Sequence, residues 1–170
     1  MEEVARKIII EKKYSKYLDR YDNEALNLLL DTYNRQIDKE KDLDKADDVY
    51  PHTVFLDRGI IDVQAYSKHL IGYTPKEILN TPVKRYGIIL ALERLPLIND
   101  GLRRETEEEA KIIHQKIIQA YIDAGYTPEI IPVMSIKERL KYILEKINEI
   151  EHKATDKLSC DSCEKTLAGV

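Results

Sequence analysis

The sequence predicts an α/β fold in which a parallel sheet is covered by helices on both faces. From residue 53 onward, short apolar runs alternate with longer segments of helical periodicity, in the order strand, helix, strand, helix, strand, helix. The first of these runs ends at Asp57 and is followed at once by Arg58 and Gly59. Strands of open α/β sheets deliver charged side chains to a ligand-binding edge in this way. Right-handed crossovers would give the sheet a doubly wound topology.

The elements follow from periodicity and from end signals. Gly125, followed three residues later by Pro128, ends the long helix that we predict up to residue 124. Ser135 and Glu138 form a capping box that begins the next helix. The first forty residues are helical in character, and residues 38–48 form a charged run typical of a solvated helix end. We predict strands over residues 53–57, 86–92 and 129–133, and helices over residues 60–70, 75–81, 103–124 and 135–149.

Composition limits the function. The chain has 170 residues, enough for one domain, which we place at residues 1–150 with a tail at 151–170. A net charge of −4 argues against a general nucleic-acid binder. The sequence contains no apolar run long enough to span a membrane and begins without a signal peptide, so we expect a cytoplasmic protein.

Cysteine and histidine offer no metal site. Cys160 and Cys163 have half the spacing of a zinc site, but no second pair completes it, and we expect them to be inert tail residues. The four histidines show no metal-binding spacing, which makes a metal-dependent hydrolase a weak hypothesis.

Charged residues follow the predicted strands. Parallel strands end at one edge of a sheet, so we expect residues 57–59, 93–105 and 132–135 to converge there. At such an edge Asp57 would suit a metal-bound water or a hydroxyl, and Arg58 would suit a phosphate. An ordinary solvated turn explains the same residues equally well.

Two adjacent arginines, Arg103 and Arg104, precede the helix that we predict to continue from Glu105. Positive charge is unfavourable at a helix amino terminus, so an anion is expected nearby. Glutamates in the same turns are one candidate for that anion. A transferring phosphoryl group, neutralised by arginines on a mobile lid, is the other.

Six blocks of sequence, in the right order, resemble one known family. The blocks are residues 3–9, 54–59 with Asp62 and Tyr66, 85–90, 99–106, 124–126, and Pro132 with 135–140. Together they are similar to the AAA-domain family of predicted ATPases, which are P-loop NTPases allied to thymidylate kinase and nicotinamide riboside kinase. The resemblance covers residues 2 to about 145 and implies a three-layer sandwich around a parallel sheet.

The resemblance implies roles in phosphate chemistry for four residues. Asp57 would be the acid on the metal side or the substrate side, and Arg58 would meet a substrate phosphate. Arg103 and Arg104 would be lid arginines that close over the γ-phosphate. ATP and Mg²⁺ would be the cofactors, and an unidentified small molecule the acceptor.

The resemblance also implies residues that line the rest of the pocket. Three pairs are expected there: Asn99 and Asp100 at the opening of the lid, Pro132 and Ser135 beside the adenine, and Glu3 and Arg6 on the acceptor side.

One departure from the family changes these expectations. The sequence has no G-x-x-x-x-G-K-[ST] phosphate loop, and its six glycines are scattered singly. We therefore expect that the family's first strand, phosphate loop and first helix, with most of its second strand, are missing. The sheet would keep about three strands, which would pair directly or borrow an edge from another copy of the chain.

The resemblance thus implies an ATP-binding protein of the P-loop kinase or ATPase class, and we expect this chain to be inactive by itself because it has no phosphate loop. The alternative is a non-catalytic interaction protein that retains a remnant of the fold.

Overall fold

The structure is a computed structural model. It describes residues 4–12, 14, 23–47, 53–81, 86–96 and 106–164. For residues 6, 44–47 and 151–164 it describes the backbone alone.

The described residues form six helices and two strands. In chain order these are α1 (Val4–Lys12), α2 (Asn23–Asp47), α3 (Ile60–Leu70), α4 (Lys76–Leu79), β1 (Leu90–Leu92), α5 (Glu107–Asp123), β2 (Glu129–Ile131) and α6 (Ile136–Glu164).

The predicted helices are present, with differences at their ends. The helix over residues 60–70 is confirmed with the same bounds. The predicted helix at 75–81 is the single turn of α4. In α5 the Thr106 hydroxyl accepts a hydrogen bond from Glu109 N, and Thr106 N donates one to the Glu109 carboxylate, which starts the helix there. The last helix starts one residue later than predicted and continues beyond 149, to Glu164.

The sheet is smaller than predicted. β1 and β2 pair in parallel, with Leu90 opposite Glu129 and Leu92 opposite Ile131. They lie within the predicted strands 86–92 and 129–133 but cover three residues each. An α/β composition is therefore present in the described part of the chain, as a helix-rich structure with a two-stranded parallel sheet.

The prediction of a strand over residues 53–57 is wrong, and so is that of a third strand in the described sheet. Residues 53–56 belong to no strand, and residues 57 and 58 form a bend. Val54 and Phe55 are exposed, Phe55 over 54% of its surface. The apolar pattern does suit a buried strand, but a strand requires a neighbour to accept its backbone hydrogen bonds. No described strand supplies one here.

The chain divides into two compact units. The first comprises residues Met1–Gly87 and Pro96–Thr127. Its core lies where α2 packs on α3, and α3 in turn packs on α5. Apolar side chains from α2, α3 and the segment after α3 fill this core: Ala25, Leu29, Val63, Ile71 and Ile78. A smaller cluster joins α1 to α2 through Val4, Ile8 and Leu28.

The second unit comprises residues Ile88–Leu95 and Pro128–Val170. It contains β1, β2 and α6. Ile131 is fully buried, and the Tyr142 hydroxyl of α6 donates a 2.9 Å hydrogen bond to Glu129 of β2. Other apolar residues of α6 stay exposed, among them Ile136 at 88% and Leu140 at 58%.

Within the part of the chain that is described, no helix combines the length and apolar character needed to cross a membrane.

Candidate functional site

The candidate site is the turn Asp57-Arg58-Gly59, which leads into α3 within the first unit. Arg58 has φ 70°, the left-handed conformation that non-glycine residues rarely adopt. Its side chain is 38% exposed, and Asp57 is exposed as well. A residue with a large side chain in this conformation requires support from its surroundings.

Three side chains from different parts of the first unit hold the backbone of this turn. Gln36 of α2 donates from Nε2 to the Arg58 carbonyl at 3.1 Å. The Gly59 N–H donates to Asp62 Oδ2 at 3.0 Å, and the Ile60 N–H donates to the Tyr86 hydroxyl at 2.9 Å. Successive backbone groups at residues 58, 59 and 60 are therefore fixed, which makes the turn rigid.

Asp62 connects the turn to α5. Its Oδ2 accepts from Gly59 N and, at 2.7 Å, from the Tyr121 hydroxyl. Its Oδ1 accepts from Arg58 Nη1 at 3.1 Å. Asp62 is only 6% exposed, so these donors replace the water that the carboxylate loses on burial. Near a helix amino terminus the macrodipole favours this negative charge further.

A second buried carboxylate, Glu40 of α2, supports the turn from the other side. It is 2% exposed, and it accepts from Gln36 Nε2 at 2.8 Å. The Tyr86 hydroxyl donates to it at 3.1 Å from each carboxylate oxygen. The same hydroxyl accepts from Ile60 N, so Tyr86 links Glu40 to the first turn of α3.

The two phenols stay protonated. Burial raises the pKa of Tyr86, and the charge of Glu40 raises it further. Burial raises the pKa of Tyr121, and Asp62 adds to that increase through its charge and its hydrogen bond. Both hydroxyls therefore remain hydrogen-bond donors throughout the physiological pH range.

Three tyrosine rings pack together beside the turn. The ring centroids of Tyr86, Tyr121 and Tyr126 lie 5.9 to 6.3 Å apart in tilted or edge-on arrangements. The Tyr86 N–H donates to the Tyr126 hydroxyl at 3.1 Å. A Cβ atom at Gly59 would lie 2.6 Å from the Tyr86 hydroxyl oxygen and 2.9 Å from that of Tyr121. Glycine at this position is what allows the two hydroxyls to approach the backbone.

The arrangement offers a rigid support for one carboxylate and one guanidinium at the surface. The Arg58 guanidinium lies 5.8 Å from the centre of the Tyr66 ring, in cation–π range. Arginine held in this way suits planar recognition of a phosphate or carboxylate. Within the described residues no group of three or more histidine, cysteine, aspartate or glutamate side chains could hold a metal ion.

Of the residues predicted from the sequence, Asp57 and Arg58 lie together at this turn. Pro132 and Ser135 belong to the second unit. Ser135 donates to Glu138 Oε2 at 2.6 Å and accepts from Glu138 N at 3.3 Å, which confirms the predicted capping box. The pKa of Glu138 is lowered by the bond from the Ser135 hydroxyl and by a second bond, 3.1 Å long, that the Ser135 N–H donates to the same carboxylate. The expected position of Pro132 and Ser135 beside an adenine stays a prediction.

The other predicted site residues lie outside the description. These are Glu3, Asn99, Asp100, Arg103, Arg104 and the side chain of Arg6. The backbone of Arg6 lies in α1. The expected convergence of three segments at one sheet edge assumed that residues 57–59 end a strand, and this premise is wrong because residues 53–57 form no strand. Residues 97–105 of the second segment lie outside the description.

Sequence reasoning missed the residues that support the turn: Gln36, Glu40, Tyr86 and Tyr121. One pattern could have revealed two of them. Ala25, Leu29 and Tyr33 form the core-facing row of α2 at intervals of four residues, and Gln36 and Glu40 continue that face. Polar residues on the apolar face of a helix predict a buried hydrogen-bond network.

One comparison with known proteins gives a match. The family model described as AAA domain matches residues 1–139. No curated protein and no solved structure matches the chain. The match covers most of the 170 residues and includes the Asp57-Arg58-Gly59 turn with all of its supporting residues. The chain belongs to the AAA domain family, whose character is that of nucleotide-binding, NTPase-like proteins.

Proposed function

We propose that this chain binds ATP and that Asp57 and Arg58 contact the phosphate end of the nucleotide or its magnesium ion. Two observations support the proposal. The chain belongs to an AAA domain family, and its turn at residues 57–59 presents an acid and a base on a backbone fixed by Gln36, Asp62 and Tyr86. The rigid turn carries the argument, because a preorganised group binds a ligand with a smaller loss of conformational entropy.

The described residues fit one part of such a site. Asp57 is a carboxylate of the kind that Mg²⁺ accepts as an oxygen ligand, and Arg58 suits a phosphate oxygen. The main grip on the phosphates in P-loop proteins comes from a glycine-rich loop with its lysine. These 170 residues contain no such loop. We therefore propose that this chain alone binds ATP without turning it over. Kinase or ATPase activity would require a polypeptide that also contains a phosphate loop.

Calorimetry with Mg·ATP tests the proposal on the 170-residue chain. Without a phosphate loop we expect a Kd of about 0.1–1 mM, which corresponds to roughly 4 to 5.5 kcal/mol of binding free energy. We expect no release of inorganic phosphate above the rate in buffer. Asp57→Ala and Arg58→Ala should each weaken binding several-fold. Lys111→Ala removes a charge from an exposed position of α5 and serves as the matched control.

The outcomes separate the two halves of the proposal. No saturable binding at millimolar ATP would contradict nucleotide binding. Hydrolysis that is lost in Asp57→Ala would contradict inactivity and would show that this chain completes its own phosphate site.

The alternative function is that of a non-catalytic interaction protein. Groups of exposed apolar side chains favour it: Val54 and Phe55 in the first unit, and Ile136, Leu140 and Leu144, which recur every four residues along α6, in the second. Apolar residues that are exposed together, rather than singly, often mark protein–protein contacts. Analytical ultracentrifugation tests self-association through these residues. A concentration-dependent dimer abolished by Phe55→Ser or by Leu140→Ser, in a chain that binds no ATP, would favour this alternative.

A further inference from the structure

We propose that Asp62 is a positioning residue that orients the Arg58 guanidinium toward the phosphates of a nucleoside triphosphate. The inference rests on the proposed nucleotide binding and assigns a role to a residue that does not itself contact the ligand. It is based on the different hydrogen-bond partners of the two oxygens of the Asp62 carboxylate.

Oδ2 of Asp62 stabilises the turn. It accepts from the Gly59 N–H at 3.0 Å and from the Tyr121 hydroxyl at 2.7 Å. The first bond satisfies a backbone donor at the amino terminus of α3, and the second ties that terminus to α5. Both bonds need only an oxygen acceptor at this position, so a neutral amide could make them as well.

Oδ1 orients Arg58. It lies 3.1 Å from Arg58 Nη1, and the guanidinium carbon lies 5.8 Å from the centre of the Tyr66 ring. The Arg58 side chain thus contacts two residues of α3, Asp62 and Tyr66, from a backbone with φ 70°. A planar guanidinium that contacts a carboxylate oxygen and an aromatic ring has its position and its plane restricted.

The contact between Asp62 and Arg58 affects ligand affinity more than it affects the stability of the fold. The Arg58 side chain is 38% exposed, and an ion pair at such a position contributes little to folding because water screens it. A long side chain that is already held in its binding geometry loses less conformational entropy when the ligand binds. The contact between Asp62 and Arg58 therefore matters chiefly when an anion is bound, whereas the bonds of Oδ2 to Gly59 and Tyr121 stabilise the fold.

Asp62→Asn separates the two oxygens. Its amide oxygen can replace Oδ2 and keep the bonds to Gly59 and Tyr121, and its amide nitrogen then faces Arg58, where it cannot attract a cation. We expect the variant to fold with a lower melting temperature than the wild type, because the bonds to Gly59 and Tyr121 lose their charged acceptor. We expect its affinity for Mg·ATP to fall about 3- to 10-fold, with its weaker affinity for adenosine unchanged.

A double-mutant cycle tests whether Asp62 acts through Arg58. If it does, Asp62→Asn combined with Arg58→Ala will bind Mg·ATP no more weakly than Arg58→Ala alone. Arg58→Lys provides a second variant that leaves the Asp62 cap untouched. Lysine keeps the charge but loses the planar contact, so we expect most of the preference for ATP over adenosine to be lost.

The outcomes distinguish this inference from the function on which it rests. A wild-type chain that does not prefer ATP to adenosine would overturn both. A wild-type preference that survives in Asp62→Asn and in Arg58→Lys would overturn the positioning role and leave nucleotide binding in place. Additive losses in the double mutant would also overturn it, because Asp62 would then act independently of Arg58.

Discussion

The Tyr121 hydroxyl of α5 donates a 2.7 Å hydrogen bond to Asp62 Oδ2 of α3, across 59 residues of sequence. Both residues are buried, and Asp62 carries the charge that caps α3. A hydrogen bond to a buried charged acceptor is worth roughly 1.5–3 kcal/mol. This bond links the position of α5 to the geometry of the Arg58-Gly59 turn. A substitution at Tyr121 should therefore alter the turn, and a substitution at Asp62 should alter the packing of α5.

The close approach at Gly59 predicts that Gly59→Ala destabilises the protein. The added methyl would lie 2.6 Å from the Tyr86 hydroxyl oxygen, and that hydroxyl is held by Glu40 and Ile60. We expect a loss of about 1–3 kcal/mol in the free energy of unfolding, measured with urea. Gly87→Ala is the control, because a Cβ there meets nothing within 4 Å. Equal stabilities for the two variants would contradict this packing.

The backbone of Arg58 predicts an unusual order of stabilities. Arg58→Gly and Arg58→Ala both remove the ion pair to Asp62 and the contact with Tyr66. They differ in the cost of φ 70°, which alanine bears and glycine avoids. We therefore expect the glycine variant to be more stable by about 1 kcal/mol. In an ordinary helix or extended segment, glycine would be the less stable of the two, and that order would show that the left-handed conformation is wrong.

Local patterns predicted the helices well. The bounds of α3, the capping box of Ser135 with Glu138 and the end of α5 near Gly125 depend on neighbouring residues, so the sequence contains the necessary information. The apolar run at residues 53–57 shows the limit. Its composition suits a strand, but strand formation depends on a partner that is distant in sequence, and no described strand provides one.

The candidate site was predictable in part for the same reason. Asp57 and Arg58 stand out because charges follow an apolar run. Glu40 and Tyr121 lie 17 and 64 residues from Asp57, and nothing local shows that they reach the same turn. Their role follows from the packing of α2 and α5 against α3, which is a property of the tertiary structure.

The cap of α5 predicts a measurable loss on truncation. Thr106→Ala removes the hydroxyl that accepts from Glu109 N at 3.2 Å. We expect the free energy of unfolding to fall by about 1 kcal/mol. Thr127→Ala, at an exposed position outside any helix, is the control and should change stability by less than about 0.5 kcal/mol. Thermal unfolding followed by circular dichroism measures both. A cost for Thr127→Ala equal to that for Thr106→Ala would contradict the cap.

The contact between α1 and α2 predicts a loss of stability in acid. The Asp31 carboxylate accepts hydrogen bonds from Lys12, at 2.8 Å, and from the Tyr14 hydroxyl, and both lower its pKa. A carboxyl whose pKa is lower in the folded state contributes stability above its unfolded pKa of about 4, and this contribution disappears as pH falls through the folded value. The stability difference between the wild type and Asp31→Asn should therefore shrink as pH falls from 6 to about 2. A constant difference in urea unfolding across that range would contradict the contact.

The buried phenol of Tyr121 predicts the opposite dependence in alkali. Its pKa is raised in the folded state by burial and by Asp62, whereas in the unfolded chain it titrates near 10. The stability that it contributes is therefore fully present below pH 10 and declines as pH rises above that value. Tyr121→Phe should lower the free energy of unfolding by about 1.5–3 kcal/mol at pH 7 and by progressively less above pH 10. Tyr73→Phe, at a side chain that is 54% exposed, is the matched control and should have little effect at pH 7.

Absorbance at 295 nm, which follows tyrosine ionisation, gives a second test of the buried phenol. Tyr121→Phe should contain one tyrosine fewer than the wild type among those that ionise only on unfolding. An unchanged number of such tyrosines would mean that the Tyr121 hydroxyl is accessible to solvent and that its bond to Asp62 is absent.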